Sequence, residues 1–444
     1  MGIHLSIGSE ILPLISAVQL VTSAMGVVVL LVWTGVWLKP WRFALAVSFT
    51  VSIVRSSALG AVLPDAVWYA AQFGPVVIAE AFLLFCPGVE MRRIDIGILV
   101  CLTLYAVCAL ATVVTGLYRT QTLAQSSVLI LMFGFLALTA WKRWTTILKV
   151  RGDLAFALAL ISVVQIVGLI GFVTHQAWAI ADYGRFQGTF SNANYAGAMS
   201  AIGIMIGIYV IAVVPARGRL LGSAALLALG VALVASGSRG SLLALVFGLT
   251  SLAVLRANRR TVALVSVAVI LGATILVVAS YRLPSLGGEF NRAMQGSDIT
   301  SGRLQIYSEL LTRWSHMPLF GTGYRTTELL TGPNRLTGHN TYLSVLTETG
   351  IAGAVIFLAL LILIVRAGPS IGVQRILLGA VVTVLTLEIT ESYAFGWGSP
   401  VPVMEWLSLF AFASAGRIEA TNVELALRTD LQAASGIRAS ALLQ

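Results

Sequence analysis

Apolar runs long enough to cross a bilayer follow one another along almost the whole chain. A spanning helix needs about 20 mostly apolar residues. Thirteen stretches approach that length: 13–37, 43–63, 66–86, 96–116, 122–141, 154–174, 195–214, 219–236, 240–255, 261–280, 340–365, 374–395 and 400–416. One long polar interruption, 281–339, separates the tenth from the eleventh, and helical spacing recurs within it from Gly302 to Ser315. A connection of that length is usually functional. The pattern predicts an all-α polytopic membrane protein of 12–13 transmembrane helices. Its layout is a bundle of about ten spans over 1–280, a long loop over 281–339, about three spans over 340–416 and a tail over 417–444. No repeat of two halves is visible, which is the usual transporter mark.

The basic residues orient this bundle. Of 28 Lys+Arg, 18 fall in the connections after odd-numbered spans or in the tail, nine in the even-numbered connections, and Arg55 within a span. The positive-inside rule makes the odd connections cytoplasmic. The amino terminus is then outside, the tail inside and the long loop on the outer face. No Lys or Arg precedes Lys39, so the first run reads as a retained span instead of a cleavable leader.

Composition excludes the other classes. The 444 residues are 58% hydrophobic and 10% charged, against about 25% charged in an average soluble domain. A soluble multidomain enzyme and a disordered chain are both ruled out. The net charge of +10 follows from basic inner loops and implies no nucleic acid. Cys86, Cys101 and Cys108 lie in or beside apolar runs and read as small hydrophobes.

Unusual polar residues collect on the outer side. In GRFQGTFSNANY (184–195), Asn194 suits an N-cap for a helix starting near Tyr195. Arg185 fits either a lipid-headgroup anchor or a fixed cation for a phosphate or sugar. In SGSRGS (236–241), Arg239 occupies a very short connection. It fits snorkelling or a second anion clamp, with glycines that let the backbone approach a ligand. In GHNTYLSVLTETG (338–350), His339 and Asn340 stand where the long loop meets span eleven. A helix start there points its free N–H groups outward, which attracts phosphate. An imidazole suits proton transfer near neutral pH. Tyr342 and Leu343 are read at i+3 and i+4 on the same helix face as His339, and Glu348 as a deeper structural hydrogen-bond partner. The plainer alternative is that Asn340 is a helix cap and His339 an interfacial side chain.

Further along, Arg303 and Tyr307 are i, i+4 on an expected helix, Arg303 either paired with a loop carboxylate or facing a ligand. Gly321 and Gly323 lack the Lys-Ser/Thr and the strand–helix context of a nucleotide loop. Within the spans, Arg55, Glu80, Glu388, Glu391 and Glu405 are functional candidates by default, structural partnering being the alternative for each acid. Arg55 and Glu80 fall too far apart in depth to pair, whereas Glu391 and Glu405 are expected to meet near the site. His4, His175, His316 and His339 are scattered without a metal-binding spacing. Charge is therefore expected to be neutralised by arginine, with no metal and no cofactor.

The order of these parts resembles the bacterial O-antigen ligase and O-antigen polymerase superfamily. Carrying the resemblance are GRFQGTFSNANYAG, the SGSRG turn, SGRLQIY in the long loop, GTGYR, and GHNTYLSVLTETGIAG before a hydrophobic span. It covers 184–365 well and the rest loosely. The resemblance implies a GT-C-like membrane glycosyltransferase of the inner membrane with its site on the periplasmic face. Such an enzyme moves a glycan en bloc from undecaprenyl pyrophosphate to lipid A–core, another glycan or a protein, without metal or nucleotide. It implies that Arg185 and Arg239 hold the donor pyrophosphate, that Arg303 helps position it, and that His339 activates or orients the acceptor hydroxyl. Asn194, Asn340, Tyr342 and Glu391 are the accompanying substrate-binding candidates. The superfamily usually has about twelve spans with both ends inside, one fewer than counted here. Ligase and polymerase share this donor chemistry. A flippase or transporter of polyprenyl-linked glycan and a scaffold subunit are the competing classes, disfavoured by a polar set concentrated on one face.

Overall fold

The computed structural model describes residues 40–55, 65–88, 90–181, 184–255, 303–330, 338–370, 372–397 and 399–441. The expected spans 13–37 and 261–280 lie outside the described residues, as do 281–302 and 331–337 of the long loop and the Arg55 side chain.

The described residues are helical almost throughout, as the hydrophobic pattern predicts. The helices are α1 (Pro40–Arg55), α2 (Asp65–Leu84), α3 (Arg93–Thr115), α4 (Arg119–Leu138), α5 (Ile147–Val173), α6 (Ala193–Val213), α7 (Ala216–Ser236) and α8 (Arg239–Leu255). Then come α9 (Arg303–His316), α10 (Thr327–Leu330), α11 (Thr341–Ala367), α12 (Leu377–Thr390) and α13 (Val401–Ala441). Among the described residues, eight helices are long and apolar enough to cross a membrane, and α8 is a shorter apolar one. The last expected span, 400–416, opens α13, which runs on unbroken to Ala441 where a separate tail was expected. The only strands among the described residues are β1 (Ile180–Ala181) and β2 (Arg185–Phe186), paired antiparallel with Ala181 opposite Arg185.

Helix α6 is apolar on every side and is the most deeply buried of the eight, as an all-round apolar helix must be. Gly197 on α6 lets the turn between α7 and α8 come close: a Cβ there would stand 2.6 Å from Cβ of Ser238.

The GTG motif at 321–323 has a structural use. Helix α11 kinks at Gly350, whose φ of 65° favours glycine. The kink breaks the helical ladder, and the strap at 318–323 repairs it. Thr322 and Gly323 donate their N–H groups to the Thr347 and Glu348 carbonyls, while Ile351 and Ala352 donate to the Pro318 and Leu319 carbonyls. Glu348 also accepts from the backbone and hydroxyl of Thr327, the structural role its depth predicts.

An aromatic cluster fixes the segment after α12. Phe395 stacks on Tyr105 of α3 at 5.2 Å and meets Phe357 of α11 at 5.4 Å. Trp406 of α13 donates its indole N–H to the Ala394 carbonyl at 2.7 Å. Gln72 of α2 donates to the Trp397 carbonyl. Glu391 lies four residues before Phe395, so its position is set by this core.

The basic connections assigned to the inner face meet at one end of the bundle. Asp153, 0% exposed, accepts from Arg42, from Arg143 and from the Trp144 indole. Arg417 donates to the Ala140 and Trp144 carbonyls, Arg92 to Ala367 and Arg151 to Val213.

Candidate functional site

The opposite end of the bundle is organised around one carboxylate. Glu391 ends α12 and is only 4% exposed. Its Oε1 accepts from Arg303 Nη2 at 2.7 Å and from Asn194 Nδ2 at 2.9 Å. Its Oε2 is 2.8 Å from His339 Nδ1. Asn194 in turn accepts from Arg185 Nη2 at 2.8 Å. Residues from β2, α6, the start of α9, the segment before α11 and the end of α12 thus converge, although they span 185 to 391 in the chain.

Each group is placed by a local rule. Strand alternation sends Phe186 into the core, 0% exposed, and leaves Arg185 half-buried at the rim. Arg185 Nε also donates to the Ser236 carbonyl at the end of α7. Arg303 Nη1 donates to the Thr390 carbonyl at the end of α12, a carbonyl end that favours cations. The Tyr307 hydroxyl donates to the His339 carbonyl, one helical turn beyond Arg303. Burial raises the Tyr307 phenol above its usual value, against the pull of Arg303, so it remains a donor at neutral pH.

His339 itself sits at φ 45°, an uncommon backbone for a residue with a Cβ. Three bonds hold it there: Tyr307 to its carbonyl, its ring to Glu391, and the Asn340 N–H to the Ser392 hydroxyl. Such over-determined strain clusters at functional sites.

Several expectations change. Asn194 is not the cap of α6. Asn192 is, accepting from the Asn194 N–H at 2.7 Å, because the helix starts at Ala193, and this leaves the Asn194 carboxamide to bridge Arg185 and Glu391. Asn340 is the cap of α11, accepting from Leu343 N–H. His339 therefore lies outside the helix, and Tyr342 does not share a helical face with it. The Tyr342 hydroxyl instead donates to the Leu385 carbonyl inside the bundle. Glu405 does not meet Glu391. It adjoins Glu388, which also takes the Thr341 hydroxyl. Arg303 pairs with Glu391 at the end of α12. Glu80 lies against Gly134 of α4. Arg239 opens α8 at the same end, exposed to solvent, next to Gly240, which packs on Thr390.

Sequence reading missed Ser392, Thr390 and Ser236, which serve through a hydroxyl or a carbonyl. Only the GHN–ES proximity could have revealed Ser392, and that needs the fold. Among the described residues, no group of three or more His, Cys, Asp or Glu gathers as a metal site.

Residues 224–358 match the family model described as O-antigen ligase. This part of the chain is similar to the O-antigen ligase family. The match takes in Arg239, Arg303, His339, Asn340 and Tyr342, and leaves Arg185, Asn194 and Glu391 beyond its ends. No curated protein matches the chain. The match and the apolar helices together support an O-antigen-ligase-like, glycan-handling membrane protein.

Proposed function

We propose that the chain is a glycosyltransferase that moves a glycan en bloc from undecaprenyl pyrophosphate to an acceptor hydroxyl on lipid A–core or another glycan. The reaction needs no metal. It takes place on the periplasmic face of the inner membrane, the face opposite the basic end of the bundle.

The observation that carries this reading is the Glu391 corner, which gathers Arg303, His339 and, through Asn194, Arg185. Arg239 opens α8 at the same end, so three arginines stand there as fixed cations. In transfer, the acceptor O–H attacks the anomeric carbon. The bond from that carbon to the pyrophosphate oxygen breaks, and the leaving group takes the electron pair. Fixed cations in a water-poor site stabilise that charge without reorganising. Arg185 and Arg239 hold the pyrophosphate and Arg303 positions it. The acceptor proton goes to His339 Nε2. Donating Nδ1–H to Glu391 fixes the tautomer in which Nε2 is unprotonated, the orienting role of a carboxylate behind a base. Direct displacement inverts the anomeric configuration.

The test is transfer by purified, EDTA-treated protein given undecaprenyl-pyrophosphate glycan and a panel of acceptors. Product of inverted configuration supports the reading, and the acceptor consumed separates ligase from polymerase. No transfer to any acceptor, with glycan lipid moved across liposomes instead, would refute it in favour of a transporter.

A further inference from the structure

At the basic end, away from the Glu391 corner, a cavity of about 650 Å³ opens between the end of α2 and the turn that joins α4 to α5. That volume falls in the range of about 300–1,000 Å³ typical of ligand sites. One wall is apolar, formed by Trp41, Phe82 and Leu83. Phe82 is 60% exposed, on a helix long and apolar enough to cross a membrane, so this wall continues onto a lipid-facing surface. The other wall carries Lys142, Arg143 and Lys149, and among the described residues no acidic one lines the cavity.

The cations differ in how far they are committed. Arg143 is satisfied by two bonds to Asp153 at 2.7 Å and by the Trp41 ring beneath its guanidinium at 4.4 Å. Lys149 donates to the Thr145 hydroxyl, a neutral partner. Lys142 lies across Gly88, where a Cβ would stand 3.2 Å from its Nζ. The residues Thr139–Arg143 form a π-turn, which directs Arg143 to Asp153 and Lys142 into the cavity mouth. Among the described residues, neither ammonium group pairs with a carboxylate, and both sit above an apolar wall at one membrane end.

We propose that this cavity binds an anionic glycerophospholipid, its phosphate between Lys142 and Lys149 and its acyl chains along Phe82 and Leu83. Charge complementarity selects the anionic class, since basic pockets between helices at a cytoplasmic surface hold such headgroups. The apolar wall requires an amphiphile in place of a free phosphate. The site is separate from the transfer chemistry, and its occupancy does not depend on what reaction the protein performs.

The full-length protein in phosphatidylcholine nanodiscs is titrated with phosphatidylglycerol, and retained lipid is read by native mass spectrometry. Lys142→Gln and Lys149→Gln are each expected to weaken retention about fivefold, and Lys142→Arg to restore it. Arg366→Gln removes a charge at the same membrane end but outside the cavity, and is expected to change retention less than twofold. Equal losses in Arg366→Gln and the cavity variants would mean only a diffuse attraction and would overturn the proposal. Displacement of the lipid by equimolar inorganic phosphate, or no preference for phosphatidylglycerol over phosphatidylcholine, would also overturn it.

Discussion

The two ends of the bundle each bury a carboxylate among cations, and they use it differently. Asp153 is closed on all sides. Arg42 and Arg143 each give it two hydrogen bonds and Trp144 one more, and aromatic rings lie against both guanidinium groups. Each of these partners has a fixed protonation state near neutral pH. Glu391 is equally buried, yet it holds a histidine whose side chain is 22% exposed and an arginine at 27%. A carboxamide extends it to a second arginine. The first hub joins helices. The second leaves a histidine ring and an arginine partly exposed at a rim.

The comparison can be broken at either hub. The largest effect is expected at His339. Removing a positioned base costs about 10²–10⁴-fold in rate, so His339→Ala abolishes most transfer while the protein stays folded and elutes as wild type, its melting lowered by the lost ring bond. His339→Gly sharpens this. Glycine accepts φ 45° without the Cβ penalty, so relief of strain offsets the lost ring bond. Stability stays near wild type while transfer is lost, as thermal melting and product yield together would show.

Asp153→Ala is expected to do the reverse. Breaking a buried ion pair from one side costs about 3–5 kcal/mol. The yield of folded protein and its melting temperature then fall, while transfer per folded molecule persists. A transfer defect without a stability defect in this variant would contradict the division of roles.

Arg303→Lys keeps the charge but gives up the fork that reaches both Glu391 and the Thr390 carbonyl. Losing one charge-assisted bond, about 1.5–3 kcal/mol, is expected to lower transfer roughly tenfold or more. Tyr307→Phe is the mildest change. It removes one hydrogen bond to the His339 carbonyl, about 1 kcal/mol, and transfer is expected to fall several-fold with donor binding unchanged.

The helices were legible because a membrane allows few backbone solutions. Among the described residues, the apolar runs of span length are helices whose ends mostly fall within a few residues of the expected ones. The residues of the corner were legible too, as polar outliers in outer connections. Their wiring was not. Whether Asn192 or Asn194 caps α6 turns on one residue of helix start, and that choice decides which carboxamide reaches Glu391. Likewise Glu388 and Glu391 are three apart at the end of one helix, but the chain leaves helical geometry at Glu391. Only the former turns to Glu405. The glycines of the strap at 318–323 fitted no nucleotide loop, and their structural use stayed hidden because their partner is a kink about 30 residues away that spacing does not reveal.

The most direct test of the central claim separates binding from chemistry at His339. Donor affinity and single-turnover transfer are measured for wild type and His339→Gln in EDTA, with undecaprenyl-pyrophosphate glycan and its accepted acceptor. The account predicts donor affinity within about threefold of wild type and transfer lowered at least about 100-fold. Wild-type transfer by His339→Gln would contradict it, and the Glu391 corner would then be a second structural hub like Asp153.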